Sequence, residues 1–177
     1  MSSDAGPPRP SSLAELYAIA YQIEADAVER YTILADQMEM HNNTELVAIF
    51  RDLARAEGIH RDEICRAAGD TEFVVLAAQA AKWRNGESPE SADLSAADYL
   101  MTPHDALQMA LAGEERAVAF FKTCLEEATA DDVRRLAKEL LSEEQEHVEL
   151  CHRLLRRYST PVSKHRWDDP DPPVSQE

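Results

Sequence analysis

A chain of 177 residues, 44% of them apolar, supplies one sizeable hydrophobic core and one main domain. Its formal net charge of −16 leaves no basic surface to displace counterions, so it excludes a typical nucleic-acid partner and suits a protein that handles cations. No apolar run reaches the roughly 18–20 residues of a membrane span, and the N-terminus lacks the basic-then-apolar order of a secretory signal, so no membrane partner and a cytoplasmic location are expected.

Only five Gly interrupt a composition dominated by Ala, Leu, Glu and Arg, which favours helix throughout. Residues 1–11 are rich in Pro and Ser and read as a disordered segment. Ser12 and Glu15 have the spacing of a capping box and open a first helix that runs to about Met40, with Leu13, Tyr17, Ala20, Ala27, Tyr31, Leu34 and Met38 on its apolar face. His41 to Thr44 form a turn, where Asn42 and Glu45 are the expected caps. The second helix repeats as Leu46, Phe50, Leu53, Glu57, His60, Ile64 and Ala67 and stops near Gly69.

Residues 70–101 break the pattern. Phe73 to Trp83 reads as a short apolar helix, ended by Asn85-Gly86-Glu87-Ser88-Pro89. Thr102 then caps, and Pro103 starts, a third long helix with Leu107, Ala110, Leu111, Glu114, Ala117, Val118, Phe121 and Leu125 inward. A turn at residues 129–132 leads to a fourth, carrying Val133, Leu136, Leu140, Glu144, His147, Cys151, Leu154 and Tyr158. Residues 159–177 read as an irregular acidic tail. The expected domain, residues 12–158, is an all-α four-helix bundle. Its one long crossover, between the second and third helices, is the ferritin-like arrangement.

The two halves repeat each other. Glu24, Ala27, Val28 and Tyr31 align with Glu114, Ala117, Val118 and Phe121, and Glu57-Gly58-Ile59-His60 aligns with Glu144-Gln145-Glu146-His147. Glu24 precedes Glu57 by 33 residues, and Glu114 precedes Glu144 by 30. At 1.5 Å per residue, all four Glu lie roughly 20–24 Å from a bundle end, which is mid-height. A Glu and a His three apart share a helix face and can meet one ion. Two such hairpins offer four Glu and two His, the ligand set of carboxylate di-iron and di-manganese bundles.

Charge supports that reading. Four carboxylates and two neutral imidazoles balance two divalent cations. Without cations, four carboxylates in an apolar interior would be costly or would take up protons. Oxygen and nitrogen donors, with no thiolate, suit iron or manganese and do not exclude zinc or cobalt; two iron ions are expected, with manganese possible. Tyr31, one heptad beyond Glu24, is placed to hydrogen-bond a ligand carboxylate, whereas Phe121 reads as core. A third Glu-x-x-His copy, Glu149 to His152, lies on the opposite, solvated face and is assigned no metal. His41, His104 and His165 are read as surface residues. The three Cys form no Cys-x-x-Cys pair, which rules out a zinc-ribbon or rubredoxin-type site, and they are expected as buried thiols.

These residues resemble the rubrerythrin family of the ferritin-like superfamily. Glu24 through Arg30-Tyr31 is similar to its first-helix pattern, Ala112-Gly113-Glu114 to its third-helix segment, and the two Glu-x-x-His motifs to its own. The resemblance implies a non-haem di-iron centre that reduces hydrogen peroxide or dioxygen, or oxidises ferrous iron, in a homodimer. The rubredoxin-type domain has no counterpart here, so an external electron donor is implied. Many members carry a further carboxylate three residues after the third-helix Glu. Here that position is Ala117, and Glu115 is turned about 100° away. Three functions follow: an oxidoreductase, an iron-handling protein with ferroxidase activity, or a non-enzymatic interaction bundle stabilised by metal. Dimanganese catalase chemistry and hydroxylation of an organic substrate use the same ligands and stand behind these.

Overall fold

In the computed structural model, residues 9–70, 74–75, 78, 88–90 and 102–158 are described. Their long elements are α1 (Leu13–Met40), α2 (Thr44–Ala68), α3 (Pro103–Glu127) and α4 (Asp131–Arg157), with no strand among the described residues. The all-α, ferritin-like four-helix bundle is thus the observed fold.

The helix ends explain the lengths. Ser12 accepts from Glu15 N at 3.2 Å, but the Glu15 carboxylate turns to Ser11 N and Oγ, at 2.7 and 2.8 Å, so the expected box closes one residue earlier. The first turn corrects an expectation. Asn42 is not the cap: it takes the left-handed conformation, at φ 54°, and Asn43 caps α2 by accepting from Leu46 N at 3.1 Å. Asn tolerates that conformation because its short polar side chain bonds locally. Gly69, at φ 76°, ends α2. Thr102 and Asp105 form a complete capping box with Pro103 behind the cap. The start of α4 has no side-chain cap. Asp131 and Asp132 in its first turn and Arg156 and Arg157 in its last complement the helix dipole instead.

Two apolar clusters fill the bundle, one towards each end. One contains Ile19, Ile23, Ile64, Phe120, Phe121 and Leu140, and the other Leu34, Met38, Leu46, Phe50, Leu107 and Cys151. Along α1 and α4 the chain passes from the first cluster to the second; along α2 and α3 it passes from the second to the first. So α1 and α2 are antiparallel, as are α3 and α4, while α2 and α3 run the same way. The connection between α2 and α3 must therefore return the full length of the bundle.

Within that connection, Val74, Val75 and Ala78 are helical, as expected for that stretch. Residues 88–90 are fixed to the bundle: Ser88 donates to Asp26, Arg116 Nε donates to Pro89 O at 2.7 Å, and Arg30 pairs with Glu90. Within the N-terminal segment expected to be disordered, Arg9 pairs with Glu127 at 3.3 Å. The rest of the expectations for residues 1–8, the crossover and the tail from 159 lie outside the described residues.

Candidate metal centre

Between the two apolar clusters lies a polar layer. Each long helix contributes one Glu to it: Glu24, Glu57, Glu114 and Glu144 are all 4% exposed or less. One turn on from Glu57 and Glu144, His60 and His147 stack with ring centroids 5.6 Å apart. All six candidate ligands therefore occupy the same level. Helical geometry brings each Glu-x-x-His pair to one side: His60 Nδ1 is 3.5 Å from Glu57 Oε2, and His147 Nδ1 is 3.7 Å from Glu144 Oε2.

The hairpins also interlock. His147 Nδ1 lies 3.2 Å from Glu57 Oε1, across the bundle, and 3.5 Å from Glu114 Oε2. Two groups have donor atoms close enough to hold one ion each: Glu57, His60 and His147, and Glu114, Glu144 and His147. The sequence assigns one His to each hairpin's site. The structure instead places His147 at the junction of both groups. Glu24 belongs to neither group and sits against Glu57.

The electrostatics follow from burial. Desolvation, with Glu144 and Glu57 nearby, pushes Glu24 well above the usual carboxylate range. Burial likewise raises Glu144 to about 8. Burial opposes the charge on Glu114 as well, but His147 and Arg30 outweigh it and hold this carboxyl at about 2. Burial disfavours charge on His147 too, yet Glu114 and Glu144 raise it to about 11. Protons on Glu24, Glu144 and His147 thus offset the charge of the layer. Divalent cations would displace those protons.

The donor atoms fit such cations. Glu57 Oε1, His60 Nδ1 and His147 Nδ1 are buried and make no hydrogen bond. They crowd together instead, with His147 Nδ1 3.2 Å from Glu57 Oε1 and His60 Nδ1 3.5 Å from Glu57 Oε2, and such poorly satisfied buried donor atoms are uncommon in a folded interior. Burial pushes the Cys151 thiol up to about 12, and it belongs to neither ligand group. The donors are carboxylate and imidazole, which suit iron or manganese.

Tyr31 is fully buried, and its hydroxyl donates to Glu114 Oε1. Burial, reinforced by Glu114, raises its pKa well above 10, so the phenol keeps its proton. Phe121 is also fully buried and packs edge-on against Phe120 at 5.3 Å. Glu149 and His152 are exposed, while His41 and His104 are half-buried rather than on the open surface.

Two further residues of the layer are absent from the sequence reading as site components. Arg30 is 1% exposed, and its Nη2 donates to Glu114 Oε1 at 2.6 Å. Glu90, 1% exposed, pairs with the other arm of the same guanidinium. The readable signal for Arg30 is its place directly before Tyr31, with Gly113 directly before Glu114. Glu90 lies in an aperiodic stretch and gives none.

A family model described as Rubrerythrin matches residues 15–155. A solved structure of an uncharacterised conserved protein from Magnetospirillum magnetotacticum MS-1 is 30% identical, with a TM-score of 0.65, and the match covers 93% of this chain and 99% of that one. No curated protein matches. Among the described residues, no helix is long and apolar enough to cross a membrane.

Proposed function

The chain belongs to the rubrerythrin family, and from that premise we propose that Glu24, Glu57, His60, Glu114, Glu144 and His147 hold two iron ions and reduce hydrogen peroxide or dioxygen. The observation that carries this reading is the buried layer itself: one carboxylate from each helix and two stacked imidazoles, with their donor atoms crowded together. No packing argument accounts for four buried Glu at one height.

When bound, the metal pair supplies two electrons and open coordination positions for the oxidant. The chain supplies the rest. His60, with its side chain 25% exposed, marks the side of the layer nearest solvent, where a small oxidant and water reach it. The apolar clusters above and below exclude water elsewhere. Tyr31 donates a hydrogen bond to Glu114 and does not release its proton near neutral pH. Reducing one peroxide to two waters consumes two electrons and two protons. The electrons return from an external donor, and the protons come from water at the His60 edge. A homodimer in the cytoplasm is the assembly and location that go with this reading.

The test is anaerobic loading with ferrous iron, then rapid mixing with peroxide. Two irons per chain are expected, with oxidation complete at one peroxide per two irons. The Glu57→Ala, Glu144→Ala double variant should bind neither ion and lose the fast phase. Equal rates in both proteins would overturn the proposal. The −16 charge favours a second reading, iron handling by ferroxidase activity, which predicts uptake well beyond two irons per chain. Protein purified without chelator and free of metal would support the interaction bundle instead.

A further inference from the structure

We infer that Arg30 is a positioning residue for the metal centre: its guanidinium, seated over Gly113 and anchored by Glu90, occupies Oε1 of Glu114 and leaves Oε2 as the single oxygen turned towards a cation. The inference rests on the two-metal reading above and concerns how one ligand is aimed.

The geometry is specific. Arg30 Nη2 and the Tyr31 hydroxyl both donate to Glu114 Oε1, whereas Glu114 Oε2 faces His147 Nδ1 at 3.5 Å. The two oxygens of one carboxylate thus have separate duties. The other arm of the guanidinium pairs with the Glu90 carboxylate and donates to Glu90 O at 3.3 Å. Arg30 also lies over the Tyr31 ring, 4.6 Å from its centroid. A planar fork can bridge two carboxylates in this way, and an ammonium on a flexible stem cannot reproduce it.

Two features argue for more than a buried ion pair. First, Glu90 returns the charge that Arg30 brings. The pair is neutral and does not weaken the cage's attraction for cations. Second, Gly113 clears the space. A Cβ at Gly113 would stand 2.6 Å from Arg30 Cζ and nearer still to Nη1. The guanidinium is held at both ends and fully enclosed, so it has little room to yield. The residue that makes this space is the neighbour of the ligand being aimed. Because Glu90 belongs to the crossover, which is also tied down through Ser88 and Pro89, the same contact joins the crossover to the metal layer.

The test is anaerobic titration with cobalt(II), read from its ligand-field absorption, with far-UV circular dichroism as the check on folding. Wild type should bind two ions. Arg30→Lys and Arg30→Gln should each weaken one ion by about 10–100-fold and alter its spectrum, leaving the other ion near wild type. Gly113→Ala should weaken the same ion, although alanine favours helix. In an Arg30→Ala background, Gly113→Ala should cost nothing further, because the methyl then has space. Should Arg30→Gln not fold, Arg30→Lys carries the test, since it keeps the charge but not the fork. Wild-type affinity in Arg30→Lys, or an equal loss from Gly113→Ala with and without Arg30, would overturn the inference while the two-metal reading stands. A wild-type protein that binds no cobalt would sink both.

Discussion

The hairpins α1–α2 and α3–α4 share a sequence design and differ where it matters for charge. Glu24 and Glu114 are equivalent by the repeat and equally buried. Six and seven residues on, the first half has Arg30 and Tyr31, while the second has Phe120 and Phe121. Each pair projects from its own helix towards the middle of the bundle, but only the first brings polar groups. Arg30 and Tyr31 reach Glu114 and, together with His147, hold this carboxyl at about 2 despite burial. Phe120 and Phe121 join an apolar cluster, and Glu24 is left to hold its proton beside Glu57. A duplicated scaffold thus gives two inequivalent halves, and Arg30 and Tyr31 contribute to the difference alongside His147.

The sharpest way to break this comparison is to neutralise each Glu in metal-free protein. Glu114→Gln removes a carboxylate that Arg30 and His147 both face. Taking one member out of a buried charge network leaves the others uncompensated, and a loss on the order of 3 kcal/mol is expected. Glu24→Gln replaces a carboxyl that already holds its proton, so less than about 1 kcal/mol is expected. Urea unfolding with chelator present measures both. Equal losses would show that the halves are alike after all.

Proton linkage gives the next largest effect. Folding raises Glu144 from 4.5 to about 8, so the folded chain binds the extra proton over that range. That stabilisation is complete below 4.5 and is lost as pH rises through 8. His147, raised from 6.5 to about 11, adds a loss of the same sign between those values. Glu114 acts oppositely: its contribution is present above 4.5 and lost as pH falls towards 2. Metal-free protein should therefore be most stable near pH 5 and weaken, by on the order of a few kcal/mol, towards pH 9. Saturating metal should remove most of this slope and release protons on binding, as read by calorimetry in buffers of different ionisation enthalpy. A flat profile without metal would contradict the protonation pattern assigned to the layer.

How much of this was legible beforehand depends on locality. The four helices, Gly69 as a stop and the Thr102–Pro103 start are written in neighbouring residues, so periodicity and capping rules reach them. The convergence of Glu24, Glu57, Glu114 and Glu144 was readable because the repeat puts them at equal heights. The assignment of Asn42 as cap missed because two adjacent Asn can exchange roles, and only the path of the turn decides which becomes left-handed. The central place of His147 and the Arg30–Glu90 pair depend on how one hairpin seats against the other and on where the crossover touches down. No local pattern encodes either.

Tyr31→Phe probes the asymmetry at the scale of one hydrogen bond. The hydroxyl donates to an ionised, buried carboxylate, so its removal should cost about 1.5–3 kcal/mol in metal-free protein. Glu114 should also titrate higher, because one of the groups holding it down is gone. The reciprocal change, Phe121→Tyr, adds a hydroxyl to a cluster of apolar side chains. A Tyr31→Phe protein as stable as wild type would mean that His147 and Arg30 govern Glu114 without the phenol.

The smallest expected effect is the control on reading motifs by spacing. Glu149 and His152 repeat the Glu-x-x-His interval three residues apart, yet both are exposed on the solvent face of α4. They share a helix with Glu144 and His147, and so share composition and local propensity, but they lie five residues further along it and on another face. Glu149→Ala with His152→Ala should therefore leave cobalt stoichiometry at two and change stability by no more than about 0.5 kcal/mol. Loss of an ion in that variant would mean that spacing alone, without burial between the two apolar clusters, is enough to make a site. Retention of both would place the selectivity in the layer's enclosure, where unscreened carboxylates have most to gain from a cation.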